Sequence, residues 1–145
     1  MKVDVNISQK FYRIVLFATL PSLMAISQST YANINDKSGE KIYQEVCVVC
    51  HTPGVANAPK LGDKAAWGKL IPEGQVIITA HGYVGIRGMP PKGGRSDLTI
   101  AGFSEALNYM VNQSGGNWAK PSKSMFEAIQ AEIKNRVKAQ ENPQK

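Results

Sequence analysis

Cys47-Val48-Val49-Cys50-His51 is the stretch on which the reading of this chain turns. C-x-x-C-H is the spacing that attaches a c-type haem: two thiols add across the porphyrin vinyl groups as thioethers, and the imidazole on the same turn faces the iron from one side. The chain has two cysteines, and both are consumed by the motif. The rival readings are a bare thiol pair or half of a zinc site, with His51 incidental.

Working outward, the first thirty-odd residues differ from the rest. Lys2, Lys10 and Arg13 precede an apolar run from Ile14 to Ile26, and Thr30-Tyr31-Ala32 offers a cleavage site. The run is too short for roughly 30 Å of hydrocarbon, and Pro21 interrupts it. Residues 1–32 therefore read as a cleaved signal peptide, residues 33–113 as a haem domain and residues 114–145 as a C-terminal amphipathic extension. Export agrees with the motif, because thioether attachment belongs outside the bacterial cytoplasm. The expected compartment is the periplasm.

At 145 residues the chain has room for one domain, whose modest core a covalent macrocycle would complete. The formal charge is +6; the leader holds three basic residues against Asp4, which leaves +4 for the remainder. Most of that lies after Ser114. So small a charge on an exported protein argues against nucleic acid and suits an acidic protein patch or anionic surface.

The periodicity predicts helices throughout. Ser38 caps the first, which places Ile42, Tyr43 and Val46 on one face and ends at the haem motif. Val55 to Pro59 reads as an irregular loop. Pro59 either accepts a hydrogen bond from the non-ligating nitrogen of His51 or merely stiffens a turn. Asp63 caps a helix over 64–70 that contains Trp67, which is either core or a haem-edge residue whose indole N–H meets a propionate. A further helix is expected from Pro72 to about Tyr83.

Gly82 to Gly94 has five glycines and two prolines in thirteen residues and reads as a long irregular loop. At its centre Met89 offers a soft thioether to iron on the face opposite His51. The competitors are His81, for a bis-histidine iron, and an open sixth position; Met110 reads as core and Met125 begins the last helix. Ser96 to Asn112 resumes helix, capped by Thr99 or Asp97. Ser124 to Glu127 has capping-box spacing, and Phe126, Ile129, Ile133 and Val137 stripe the final helix.

With C-V-V-C-H, A-P-K-L-G-D (Ala58 to Asp63), Trp67 and M-P-P-K-G-G (Met89 to Gly94) in that order, the sequence resembles the class I c-type cytochromes, specifically the bacterial cytochrome c-five subgroup. The resemblance covers about Gly39 to Asn112. It implies an all-α fold, a small class I cytochrome c domain of about four helices around one covalent haem c, with the N- and C-terminal helices crossing beside it. It further implies His51 and Met89 as iron ligands, Pro59 as the partner of His51, Trp67 in the haem pocket, and electron transfer rather than enzymatic turnover. Expected partners are redox proteins docking through Arg87, Lys92 and Arg95, with a second copy of the chain as another partner for the C-terminal helix. Two rivals share the haem: a subunit or donor of a larger oxidoreductase, and a ligand-binding or weakly peroxidatic protein if the Met89 bond is labile.

Overall fold

The computed structural model describes residues 33–142; the expected leader and residues 143–145 lie outside them. Among the described residues every regular element is helical, with one isolated bridge between Ile86 and Met89.

The first helix, α1, is Gly39–Ile42 continued by a π-helical Tyr43–Cys47 and an α-helical Val48–His51. Ser38 caps it through the Lys41 N–H. The π-turn is not legible in the side-chain pattern; such widenings recur at functional sites. Ile42, Tyr43, Cys47 and His51 are buried along it, whereas Val46 is half-buried. Helix α2, Lys64–Leu70, starts where Asp63 Oδ1 accepts from the Ala65 and Ala66 N–H groups at 3.1 and 3.0 Å. The helix expected from Pro72 instead divides. A 3-10 turn, Ile71–Glu73, ends at Gly74 with φ +91°, and α3 begins afresh as Gln75–Val84.

Helix α4, Ile100–Gln113, starts later than expected, because Asn35 Oδ1 accepts from both the N–H and hydroxyl of Thr99 at 2.7 and 2.8 Å. That anchoring makes Thr99 the cap, while Arg95 occupies Asp97. The last helix, α5, is Lys123–Glu141, and its cap is Ser122 rather than Ser124: Ser122 Oγ accepts from Met125 N–H at 3.2 Å.

Helix α1 crosses α4 where Gly39 meets Glu105. A Cβ on Gly39 would overlap the Glu105 carbonyl, so only glycine permits this approach. Beyond it, Tyr43 and Tyr109 rings lie 5.7 Å apart. The main core joins Ile42, Tyr43, Trp67, Leu98, Phe103, Leu107, Met110 and Val111, each such burial contributing roughly 1.5–3 kcal/mol. This is the helix crossing that the cytochrome resemblance implies.

Helix α5 folds back along α3. Buried amides aim it. Gln75 Nε2 donates to Asn108 Oδ1 at 2.7 Å, and both amide groups donate to the Ala119 carbonyl. Asn112 accepts from Trp118 N–H at 2.7 Å and donates to its carbonyl at 3.0 Å. Ala80 on α3 and Ile129 on α5 are fully buried yet lie outside the main core cluster, so the two helices form a second layer.

Candidate functional site

His51 ends α1, and its ring is buried. Nδ1 is 2.9 Å from the Pro59 carbonyl oxygen. A carbonyl only accepts, so Nδ1 carries the proton and Nε2 keeps its lone pair for a metal. The Pro59 segment is itself pinned at four successive residues. Pro59 O accepts from His51, Lys60 O accepts from the Trp67 indole at 2.9 Å, Leu61 N–H donates to His51 O at 2.8 Å, and Gly62 N–H donates to Ser114 Oγ at 2.9 Å. Trp67, read from the sequence as either core or a haem-edge residue, is buried, and its N–H donates to the Lys60 carbonyl as a strut beneath the histidine's partner.

On the other side, α3 continues to Val84, so the expected loop starts at Gly85 rather than Gly82. Gly82 is helical and functions by close approach: a Cβ there would stand 2.6 Å from Phe103 Cζ and 3.6 Å from Met89 Cε. The loop is orderly. Ile86 and Met89 exchange backbone hydrogen bonds at 3.1 and 2.9 Å across Arg87-Gly88, and Pro91–Gly94 forms a 3-10 turn. Tyr83 holds both flanks, donating to Leu98 O at 3.3 Å with Lys92 Nζ 5.0 Å from its ring centroid.

The two segments meet, since a Cβ at Gly88 would lie 3.1 Å from Ala56 Cβ. Strain gathers at the same place. Among the described residues the non-glycine residues with positive φ are Ala56, Asn57, Arg87 and Lys92, all in the segments that follow His51 or flank Met89. Each such conformation costs on the order of 1–3 kcal/mol and persists where the surroundings impose it. Val55–Asn57, expected to be irregular, is a 3-10 turn distorted by Ala56.

Cys47 and Cys50 form no disulfide with each other, and burial first, then the neighbouring Cys50, pushes the Cys47 thiol up to about 11. Among the described residues no three His, Cys, Asp or Glu side chains group to hold a metal ion. Two thiols on one helix, an imidazole with a free Nε2, and a thioether together fit a thioether-linked haem.

Met110 is core, and His81 Nδ1 lies 3.6 Å from Glu73 Oε2. Of the three cations expected to dock a partner, Arg95 is paired with Asp97 at 2.6 Å, and Lys92 donates to Ser96 O at 2.8 Å. Arg87 has no ion pair among the described residues. Ser114, Gly82, Phe103 and Tyr83 support the site and were missed from the sequence, because nothing in their spacing separates such supports from ordinary core or helix-end residues.

Comparison with known proteins places these features. The family described as "Cytochrome C oxidase, cbb3-type, subunit III" matches residues 35–110. Cytochrome c-555 of Chlorobaculum thiosulfatiphilum is 44% identical over 81 residues, 53% of this chain and 94% of that protein. Cytochrome c-555 of Chlorobaculum tepidum is 38% identical over 106 residues, 70% and 97% of the two chains. Cytochrome c5 of Ectopseudomonas mendocina is 38% identical over 76 residues, 51% and 87%. A chain in the crystal structure of an electron transfer complex of nitrite reductase with cytochrome c is 44% identical, with a TM-score of 0.52 over 55% of this chain and 96% of that one.

Proposed function

The chain belongs to the class I c-type cytochromes, mono-haem electron-transfer proteins, and from that premise we propose that it shuttles single electrons between redox proteins in the periplasm, its iron held by His51 and Met89. The haem, when bound, supplies a one-electron ferric/ferrous couple. Everything else falls on the chain. Cys47 and Cys50 tether the group through thioethers. His51 offers Nε2 while Pro59 fixes its tautomer and rotation. Met89 offers its sulfur from a turn closed by two hydrogen bonds and backed by Gly82 and Phe103. Ligands held by pinned backbone move little between oxidation states, which keeps reorganisation small.

The observation that carries this reading is the 2.9 Å contact of His51 Nδ1 with the Pro59 carbonyl, which leaves one buried imidazole nitrogen for a metal. The test is the absorption spectrum of the exported protein, oxidised and dithionite-reduced. A sharp reduced α band with a weak far-red ferric band is the expected result, and Met89→Ala should abolish the second alone. A haem spectrum in which Met89→Ala changes nothing would transfer the sixth position to another group. Amino-terminal sequencing of the exported protein should begin near Asn33; an intact leader on a cytoplasmic product would overturn the proposed compartment.

The names of the similar proteins favour a second reading of its partners. The matching family is described as an oxidase subunit, and the similar solved chain is a cytochrome in a complex with nitrite reductase. A donor to, or subunit of, a larger oxidoreductase would co-purify with that assembly from mild detergent extracts, whereas a mobile carrier would elute alone. Dimerisation through α5 has less to recommend it, since Ile129 at the centre of the stripe is buried within the single chain.

A further inference from the structure

Helix α5 lies beyond the family match, which ends at residue 110. It covers α3 with Ile129 fully buried, and near its end Gln140 borders, together with residues 84–91, a cleft of about 400 Å³ beside the methionine turn. Where the two helices meet, the contact is charged. His81 on α3 is 17% exposed, with Nε2 sealed from solvent and without a hydrogen-bond partner. Arg136 on α5 lies in the same layer; its Nε is 3.0 Å from Glu132 Oε1 but too poorly aligned for a hydrogen bond, and is likewise sealed.

We propose that α5 braces the methionine loop and that His81 and Arg136 are positioning residues that make the brace sensitive to protons. The proposal rests on the reading of Met89 as the ligand only for its consequence, not for the contact itself. Four charged groups act on His81: Glu73 from the preceding 3-10 turn, Arg136 and Glu132 from α5, and Arg87 from the methionine loop. Glu132 is already paired with Arg136. A proton on the imidazole would add a third cation beside Arg136 and Arg87, where water is excluded from one ring nitrogen.

Burial, then Arg136, lowers the His81 pKa below its ordinary value, with Glu73 and Glu132 opposing and Arg87 reinforcing. The sign follows by linkage. Detaching α5 removes the burial and the Arg136 charge and leaves Glu73 and Arg87, of opposite sign, near the ring, so His81 moves back toward its ordinary value of about 6.5 and the detached form binds the proton more readily. Docking is therefore complete above about pH 6.5 and weakens as pH falls from there toward the lowered folded value.

The test is hydrogen exchange with mass spectrometry on the full-length holo-protein at about pH 7.5 and about pH 5, corrected for intrinsic exchange. Peptides over 123–141 and 85–91 should lose protection several-fold at the lower pH while 100–113 keeps it. His81→Gln should remove the difference. Glu132→Gln, which deletes an opposing carboxylate carried by α5 itself, should enlarge it and serves if His81→Gln does not fold. Equal protection of α5 at both pH values, or an undiminished difference in His81→Gln, overturns the proton dependence; a loosened α5 with residues 85–91 unchanged overturns the brace. Absence of the far-red ferric band at every pH would instead count against Met89 as ligand, a separate failure.

Discussion

Two helix pairs hold this molecule together, and they are built on opposite principles. At the α1–α4 crossing a glycine brings backbone against backbone, aromatic rings pack beyond it, and the surroundings are apolar. At the α3–α5 contact the buried Ala80 and Ile129 share the layer with two charged pairs, His81 with Glu73 and Arg136 with Glu132. The first pair fixes the frame that presents His51; the second lies against the helix that leads into Met89. Under the proposal above the second contact loosens as pH falls, so the two sides of the site differ in how firmly they are held.

The sharpest way to break this comparison is Gly39→Val. Its side chain would enter the Glu105 backbone, which cannot give way as a flexible side chain can, and the expected cost is about 3 kcal/mol or more in denaturant unfolding of the holo-protein. A cost no greater than that of an exposed substitution would mean the crossing is loose. Ile129→Ala should cost about 2–4 kcal/mol as a truncated buried residue, but in a different currency. Hydrogen exchange should quicken across α5 while α4 stays protected; global destabilisation without local opening would show that the two layers are one cooperative unit.

The helix caps sharpen the contrast with matched chemistry. Thr99→Ala and Ser122→Ala each remove a hydroxyl that accepts the N–H three residues on, for about 1 kcal/mol. The first should lower the denaturant midpoint of the whole protein. The second should show only in the exchange of the first turns of α5. Smallest is Gly68→Ala: a Cβ there meets nothing within 4 Å, so α2 should gain about 0.5–1 kcal/mol. The same substitution type at Gly39 reverses sign, and measuring both separates helix propensity from close approach.

Much of this was readable beforehand where chemistry is local. C-x-x-C-H, the Asp63 cap and the inward stripe of Phe103, Leu107, Met110 and Val111 all stand as expected, because each depends on residues within a turn or two of one another. Boundaries failed where a distant partner intervened. Asn35 moved the start of α4 to Ile100, Gly74 split the helix after α2, and Ser122 rather than Ser124 began α5. The left-handed Ala56, Arg87 and Lys92 had no sequence signal at all, since their side chains do not favour that conformation.

By itself, then, the sequence determined the attachment chemistry and the helical class and supplied the residues proposed as iron ligands, since thiols, an imidazole and a thioether at those spacings admit few other uses. Only the tertiary structure decided which carbonyl holds His51, how the Trp67 indole is engaged, and that the final helix turns back on α3. Those outcomes depend on groups tens of residues apart, such as Gly62 with Ser114 and Gln75 with Asn108, whose pairing is set by which surfaces the fold excludes from water.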